Sequence, residues 1–229
     1  MHVPDGFLNA PTSLATGAVA VAGVALALRG ARRELDDRTA PVAGLVATFV
    51  FAGQMMNFPV GAGTSGHLLG GALAAVLAGP YTAVLCVSVV LLVQALFMAD
   101  GGITALGTNV TLMAMVGVAV GWVVFKAARA VLPQHLRFVP LAAALGAFVS
   151  VPAAAAVFTL LFAVGGVAPI ETGTVLAAMV GWHTVIGIGE AVVTGLVVGS
   201  VVAVRPDLVY GARPLLEART LEIRTQAAS

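Results

Sequence analysis

The sequence predicts an all-α, polytopic membrane protein, a transmembrane helical bundle of about seven spans. Two observations predict this class: the composition, and the recurrence of apolar stretches along the whole chain. Of 229 residues, 60% are hydrophobic and only 9% are charged, and the mean hydropathy is +1.05. A water-soluble domain of this size cannot bury so much apolar side chain, so lipid must solvate much of the surface.

The apolar stretches are long enough, or nearly so, to cross a hydrocarbon core, which takes about 20 helical residues. The third stretch is short, whereas the seventh is long enough to tilt or to continue past the membrane. The predicted spans cover residues 13–28, 41–56, 66–78, 80–98, 103–124, 139–164 and 172–204.

The basic residues predict the orientation of the bundle. All eleven Lys and Arg residues follow the first, fifth or seventh predicted span. Seven spans place these three segments on one side of the membrane, which the positive-inside rule makes cytoplasmic. We therefore expect a multi-pass protein of the cell inner (cytoplasmic) membrane with its amino terminus outside. Residues 1–204 form the transmembrane domain and residues 205–229 a cytoplasmic tail.

The charge distribution is compatible with a cation as ligand. The net charge is only +1, which gives no reason to expect nucleic acid as a partner. The outward segments hold Asp5, Asp100 and Glu171 but no Lys or Arg. An outer surface with this charge attracts cations at low ionic strength, although membrane topology alone also produces a lack of Lys and Arg on the outer side.

The first two residues form a potential chelator. Residues 1–28 lack the basic start of a secretory signal, and His2 is too large for ordinary methionine removal, so we expect Met1 to keep a free amine. That amine and the His2 amide nitrogen close a five-membered ring on a metal, and the amide and His2 Nδ1 close a six-membered ring. Three coplanar nitrogens favour Ni(II) or Cu(II) over Zn(II), and low-spin Co(II) also fits. A second-position His also arises by chance.

His67 is the candidate for a fourth ligand. It lies in a loop rich in small residues at the outer end of the third predicted span, on the same side as Met1. A His at a membrane boundary is otherwise an interfacial hydrogen-bonding residue, and its location beside the chelating terminus favours the ligand. The predicted metal ligands are therefore Met1, His2 and His67.

Several polar residues are positioned to support such a site. Metal-bound imidazoles usually donate their second N–H to a carboxylate or carbonyl, and ionisable groups at membrane depth normally face the bundle interior. Ordinary buried hydrogen bonding is the alternative role, above all for the residue at position 190, which suits packing or coupling better than ligation. The predicted supporting residues are Asp5, Asp100, Asn109, His183 and Glu190, with Gln54 and Asn57 as weaker candidates.

The motifs of several enzyme classes are missing from the sequence. It contains no Walker-type GxxxxGK[ST], so the chain cannot hydrolyse ATP through that motif and any energy must come from elsewhere. It also contains no GxSxG, HExxH or paired-Cys pattern. We expect a protein that performs no chemistry. The alternative is a membrane metalloenzyme that uses His67 and His183 with Asp100 or Glu190.

Four stretches together resemble the CbiM/NikM family. They are MHVPDGF at 1–7, GTSGHLLGG at 63–71, DGGITALGTN at 100–109 and GIGE at 187–190. Their order and spacing match the family over residues 1 to about 200, with the mild departure of Val3 where Ile is frequent. Family members are substrate-binding (S) components of energy-coupling-factor (ECF) transporters for cobalt or nickel.

The resemblance implies a fold, a site and partners. The fold is a six-helix S-component core with an extra amino-terminal helix, and Met1, His2 and His67 coordinate the ion. The partners are a transmembrane coupling (T) subunit, two ATP-binding subunits and often a small accessory membrane protein. Nickel and cobalt are not distinguished. A vitamin-binding subunit of the same transporter class would need an aromatic or polar pocket, and aromatic residues make up only 6% of the chain.

Overall fold

The computed structural model describes residues 1–36, 39–61 and 64–218, and these form a helical bundle with one small hairpin. The hairpin pairs β1 with β2 in antiparallel register. Its strands lie between the second and third helices. In chain order the elements are α1 (Ala10–Glu34), α2 (Ala40–Gln54), β1 (Phe58–Gly61), β2 (Thr64–Gly66), α3 (Gly71–Ala78), α4 (Pro80–Phe97), α5 (Leu106–Asn109), a π-helix (Val110–Val116), α6 (Gly117–Val131), α7 (Val139–Gly165) and α8 (Thr172–Val204).

Among the residues that the structure describes, five helical segments are long and apolar enough to cross a membrane, in agreement with the predicted helical, multi-pass class. They are Ala10–Glu34, Pro80–Phe97, Leu106–Val131, Leu136–Gly165 and Thr172–Val204. Helix α2 is apolar but has only 15 residues, and α3 has eight. Neither reaches the length of about 20 residues that a perpendicular crossing takes.

The predicted boundaries differ from the observed ones mainly where helices end in polar residues. Helix α1 continues past residue 28 to Glu34, because helical hydrogen bonding does not stop where hydropathy falls. The fifth predicted span begins at Leu106 and ends at Val131, later than expected at both ends. It also contains the π-helix, a feature that hydropathy does not reveal.

Protein surrounds the short helix α3 on all sides. All eight of its residues are buried. Small residues permit this close packing: a Cβ added at Gly121 would lie 2.6 Å from the Cβ of Ala72. A break in a membrane helix is tolerated where other helices cover its backbone. The break between α3 and α4 falls at Gly79, whose φ of +100° favours glycine.

The start of α4 is capped from another helix. Glu34, a buried residue at the end of α1, accepts hydrogen bonds from Tyr81 N at 3.1 Å and from Thr82 N at 2.7 Å. These are two of the four N–H groups that a helix start leaves unpaired. A carboxylate at this end also interacts favourably with the helix dipole.

The chain after α8 returns to the bundle. Val209 and Ala212 are fully buried, and Gly211 lies so close to Phe125 that an added Cβ would be 2.7 Å from its ring. Arg213 Nη1 donates to the carbonyl of Glu34 at 3.2 Å. The first part of the predicted tail is therefore packed structure.

The Glu34 cap predicts a stability effect. Replacing Glu34 with Ala leaves two N–H groups of α4 without their partner, which costs about 2 kcal/mol and lowers Tm by roughly 4–8 °C. Thermal unfolding of the purified protein in detergent measures it. Glu217→Ala, which removes an exposed carboxylate, is the control and should leave Tm unchanged. Equal Tm values for the two variants would contradict the capping role.

Candidate metal centre

The amino-terminal segment is inserted among the helices. Met1 and Val3 are fully buried, and His2 is nearly so. Val3 N donates to Asn109 Oδ1 at 2.7 Å, and Asn109 Nδ2 donates back to Val3 O at 3.2 Å. Gly102 N donates to the same carbonyl at 2.9 Å. The terminal backbone is therefore held like an extra strand against the loop that precedes α5.

A second set of contacts fixes the segment before it enters α1. Phe7 stacks on Phe158 and packs against Phe162, with ring centroids 5.8 and 5.3 Å apart. Its carbonyl accepts from Val167 N at 3.1 Å, and Asn9 N donates to Gly165 O at 2.7 Å. These contacts tie the segment to the end of α7.

Asp5 supports the loop and does not contact the two histidines. Its Oδ1 accepts from Thr104 N at 2.8 Å and from Thr104 Oγ1 at 2.5 Å. The hydroxyl hydrogen bond, followed by the backbone one, lowers the pKa of the Asp5 carboxyl. Gly102 makes this approach possible, since an added Cβ there would lie 2.4 Å from Asp5 N.

The structure brings the imidazoles of His2 and His67 together. Their ring centroids are 4.4 Å apart and the planes differ by 28°. His2 Nε2 lies 3.2 Å from Gln94 Oε1, within hydrogen-bonding distance. His2 Nδ1 lies 3.0 Å from Asp100 Oδ1, without the geometry of a hydrogen bond.

Asp100 connects this pair to the β-hairpin side of the site. Asn57 Nδ2 donates to both of its carboxylate oxygens, at 3.2 and 3.0 Å. Partial burial opposes ionisation, but contact with His2 and the nearby Met1 ammonium hold the pKa of the carboxyl below its usual value. Asn57 therefore helps orient the carboxylate that faces His2.

His67 presents one unpaired nitrogen to the buried interior. Its Nδ1 donates to Leu68 O at 2.7 Å, and its Nε2 has no partner in the part of the chain that the structure describes. Burial, the Met1 ammonium and His2, with a smaller contribution from His183, lower the pKa of His67 well below the usual value. The ring is thus neutral, with a lone pair on Nε2 that suits a metal.

His183 repeats this arrangement from α8. Its Nδ1 donates to Met179 O at 2.7 Å, and its buried Nε2 likewise has no partner among the described residues.

Glu190 holds the backbone that follows His67. Its Oε2 accepts from Leu69 N at 2.6 Å and its Oε1 from Gly70 N at 2.8 Å. Gln54 Nε2 adds a hydrogen bond to Leu69 O at 2.7 Å. Both carboxylate oxygens of Glu190 are thus engaged with backbone, so this residue positions the loop.

The amine of Met1 is also strongly affected by burial. Burial lowers its pKa from 8.0 to about 4, and the charge of Asp100 only partly opposes this. An ammonium loses its hydration on burial, so the neutral form is favoured. At neutral pH the amine therefore has a free lone pair.

The donors are not a conventional side-chain cluster. Across residues 1–36, 39–61 and 64–218, no group of three or more His, Cys, Asp or Glu side chains is arranged to hold a metal. The predicted ligand set does not require one, because two of its nitrogens belong to the backbone of Met1 and His2.

Sequence reasoning missed Gln94, the neighbour of His2. It is fully buried in α4, and an amide inside an otherwise apolar span was a signal that could have identified it.

Comparisons with known proteins place the chain in a family. A model described as "Cobalt uptake substrate-specific transmembrane region" matches residues 2–208. The chain belongs to the CbiM family. The predicted resemblance is thereby confirmed.

Relatives of the CbiM-family chain extend over most of its length. A Haloquadratum walsbyi protein, provisionally named as a metal transport protein, is 39% identical over 92% of this chain and 94% of its own length. An Archaeoglobus fulgidus protein, provisionally named as a fused nickel transport protein NikMN, is 37% identical over 91% of this chain and 68% of its own.

A solved structure agrees with the fold. The crystal structure of a truncated transition metal transporter superposes with a TM-score of 0.80 at 30% identity, covering 86% of this chain and 96% of the other. These names all describe transport, so the predicted metalloenzyme alternative is not favoured.

The Asn109 contacts predict a requirement for metal binding. Asn109→Ala removes both hydrogen bonds to Val3, which costs about 1–2 kcal/mol and should weaken Ni(II) or Co(II) binding about tenfold. Asn109→Asp keeps the acceptor for Val3 N and should be affected less. Calorimetric titration of purified protein measures both.

Thr108→Val is the matched control for these variants. The Thr108 hydroxyl lies 2.7 Å from that of Thr16 in α1, and no hydrogen bond joins it to Val3 among the described contacts. This variant should bind metal as the parent does. If Asn109→Ala binds Ni(II) and Co(II) with the affinity of the parent, the hydrogen bonds between Asn109 and Val3 do not organise the site.

Proposed function

We propose that this protein captures Ni(II) or Co(II) with high affinity at the outer face of the cytoplasmic membrane, as the S component of an ECF-type transporter. The observation that supports this most directly is the burial of the chain's first amine and of His2 against His67. Membership of the CbiM family supports the metals, as does the nickel name of the Archaeoglobus fulgidus relative.

Four nitrogens form the proposed ligand set. They are the Met1 amine, the His2 amide nitrogen, His2 Nδ1 and His67 Nε2. A planar nitrogen set suits Ni(II) and low-spin Co(II), whereas Mg²⁺ and Ca²⁺ prefer oxygen ligands. The rings of His2 and His67 are stacked, so a metal bound to both requires at least one ring to turn.

Neighbouring groups favour this set in different ways. Asp100 lies on the His2 side and supplies negative charge. His183 offers an additional unpaired nitrogen from α8. Glu190 and Gln54 hold the loop that follows His67. We propose supporting roles for these residues, and a role for Asn109 and Asp5 in shaping the loop around the amino-terminal segment.

Transport requires further proteins in this proposal. Seven crossings, with α2 and α3 as short members, place the metal site outside and the carboxyl terminus in the cytoplasm. The absence of a Walker A sequence supports ATP hydrolysis by two partner subunits. A transmembrane coupling subunit, often joined by a small accessory membrane protein, then connects that hydrolysis to opening of the site toward the cytoplasm.

Extension of the chain tests the ligand set. Adding Met-Gly-Ser in front of Met1 converts the proposed ligand amine into an amide and should lower Ni(II) and Co(II) affinity at least 100-fold. A single added residue is unsuitable, because a His in third position with a free amine is itself a nickel chelator. Calorimetry measures the affinities, and intact mass measurement verifies each terminus.

The same three residues placed after Ser229 give the matched control, which should bind metal normally. His67→Ala should weaken binding in the parent background. Equal binding by the parent and the amino-terminally extended protein would refute the proposed site.

Proton release provides a second test. At pH 7.5 an amine with pKa about 4 is already neutral, so metal binding displaces about one proton, that of the His2 amide. An amine with the usual pKa of 8.0 would be mostly protonated and would raise the count close to two. Calorimetry in buffers of different ionisation enthalpy measures the count.

The sign of the pH dependence follows from these groups. Affinity should rise about tenfold per pH unit where the amide proton alone is released on binding. Repeating the measurement at pH 9, where an ordinary amine is also neutral, provides the control and should again give about one proton. Nearly two protons at pH 7.5 would contradict the neutral, buried amine.

A further inference from the structure

A separate cavity of about 610 Å³ lies at the end of the bundle opposite the metal centre. Helix α1 and the segment 106–131 both begin beside the amino-terminal segment, so their last turns lie at the far end. Those last turns line the cavity, together with residues 210–217. None of these residues belongs to the proposed metal site.

The cavity is strongly basic. Arg33, Lys126, Arg129 and Arg213 line it, against one carboxylate, that of Glu217. Four positive charges and one negative charge leave a local excess of three. Such an excess attracts an anion.

Arg129 gives the clearest indication of a ligand, because its side chain is buried. Its guanidinium donates to Pro133 O at 3.2 Å and to Gln134 Oε1 at 3.0 Å, and both acceptors are neutral. The group has five N–H donors. A buried charge normally has a counter-ion, because desolvation is otherwise costly.

No carboxylate fills that role in the part of the chain that the structure describes. The ion pairs there are His2 with Asp100 and Arg205 with Asp207. Arg213 donates to a backbone carbonyl and lies over the Tyr210 ring at 4.8 Å. Two of the cavity's cations, Arg129 and Arg213, thus have described partners that are all neutral groups.

The remaining walls are apolar and aromatic. Trp122 stacks on Phe125 with centroids 5.2 Å apart and contacts Tyr210 at 5.7 Å. Trp and Tyr at the ends of membrane helices lie at headgroup depth. An adjoining cavity of about 300 Å³ shares Arg33 and Tyr210 with the first and extends to Tyr81.

We propose that this cavity binds the phosphate group of an anionic membrane phospholipid. The guanidinium groups and Lys126 bind the phosphate, which suits the forked geometry of Arg. The aromatic wall contacts the glycerol and upper acyl region. Basic pockets between membrane helices are suited to anionic headgroups, and a free phosphate ion would use only the charged half of this cavity.

Tryptophan fluorescence can report occupancy directly. The chain has two Trp residues, and a Trp182→Phe background leaves Trp122 as the only reporter. Short-chain phosphatidylglycerol, phosphatidylcholine and inorganic phosphate are titrated into the detergent-solubilised protein. Phosphatidylglycerol should give a saturable change with an affinity at least tenfold above that of either other ligand.

Charge-neutralising variants identify the cavity as the site. Arg129→Gln and Lys126→Gln should each weaken phosphatidylglycerol binding about fivefold, which corresponds to about 1 kcal/mol per charge. Arg32→Gln is the matched control, because Arg32 is exposed on α1 next to Arg33 but does not line the cavity. If Arg129→Gln does not fold, as judged by Ni(II) binding, the exposed Lys126 provides the test.

Each other outcome overturns the proposal. Equal binding of phosphatidylcholine and phosphatidylglycerol would exclude recognition of the anionic headgroup. Inorganic phosphate binding as tightly as phosphatidylglycerol would make the site one for a free anion. Parental affinity in both variants would place the lipid elsewhere. No response to any ligand would leave the basic surface as a contact for a protein partner.

Discussion

The insertion of the chain's first three residues depends on the pair of hydrogen bonds between the Val3 backbone and the Asn109 side chain. Chain ends usually fray, and fixing a residue's backbone costs about 1–2 kcal/mol. Three hydrogen bonds to Val3, at about 1 kcal/mol each, offset much of that cost. Burial of the Met1 and Val3 side chains, at about 1.5–3 kcal/mol each, contributes the rest. The amine is therefore held in a fixed place, which a metal ligand requires.

The polar atoms around that amine are left unpaired in a pattern typical of a ligand site. Buried polar atoms nearly always have hydrogen-bond partners. Six buried side-chain atoms among the described residues have none, and five of them belong to the histidines and to the glutamines that contact His2 or the His67 loop: His2 Nδ1, His67 Nε2, His183 Nε2, Gln54 Oε1 and Gln94 Nε2. In His67 and His183 the other ring nitrogen is fixed by a carbonyl. That hydrogen bond selects the tautomer whose free nitrogen faces the interior, as in many metal-binding histidines.

The sequence allowed the parts of this site to be predicted, but not how they connect. The apolar stretches and the chelating order of Met1 and His2 are local features of the sequence. His67 could be predicted as a ligand because its loop was expected on the same side of the membrane as Met1. The contacts of Glu190 with Leu69 and Gly70 could not be predicted, because they join residues some 120 positions apart through backbone N–H groups that every residue has. The basic cavity was missed for the same reason: its cations come from α1, α6 and the segment after α8, and only helix packing brings them together.

The same connections bear on how an ion bound at the proposed site would leave it. A partner can shift a conformational equilibrium only by binding its two states with different affinity, so some element must differ between the loaded and the released state. Helix α8 fits this requirement, since Glu190 holds the backbone after His67 while His183 lies seven positions earlier on the same helix. Residues seven apart share one helical face, so rotation of α8 moves the Glu190 carboxylate and the His183 imidazole together.

The segment that carries the Met1 amine and His2 is held instead by Asn109 in α5 and by Gly102 in the loop before it. If α8 moves away from α5, His67 separates from the three proposed nitrogen ligands of Met1 and His2. Metal binding is then weakened, although the contacts of Glu190 and those of Asn109 both remain intact.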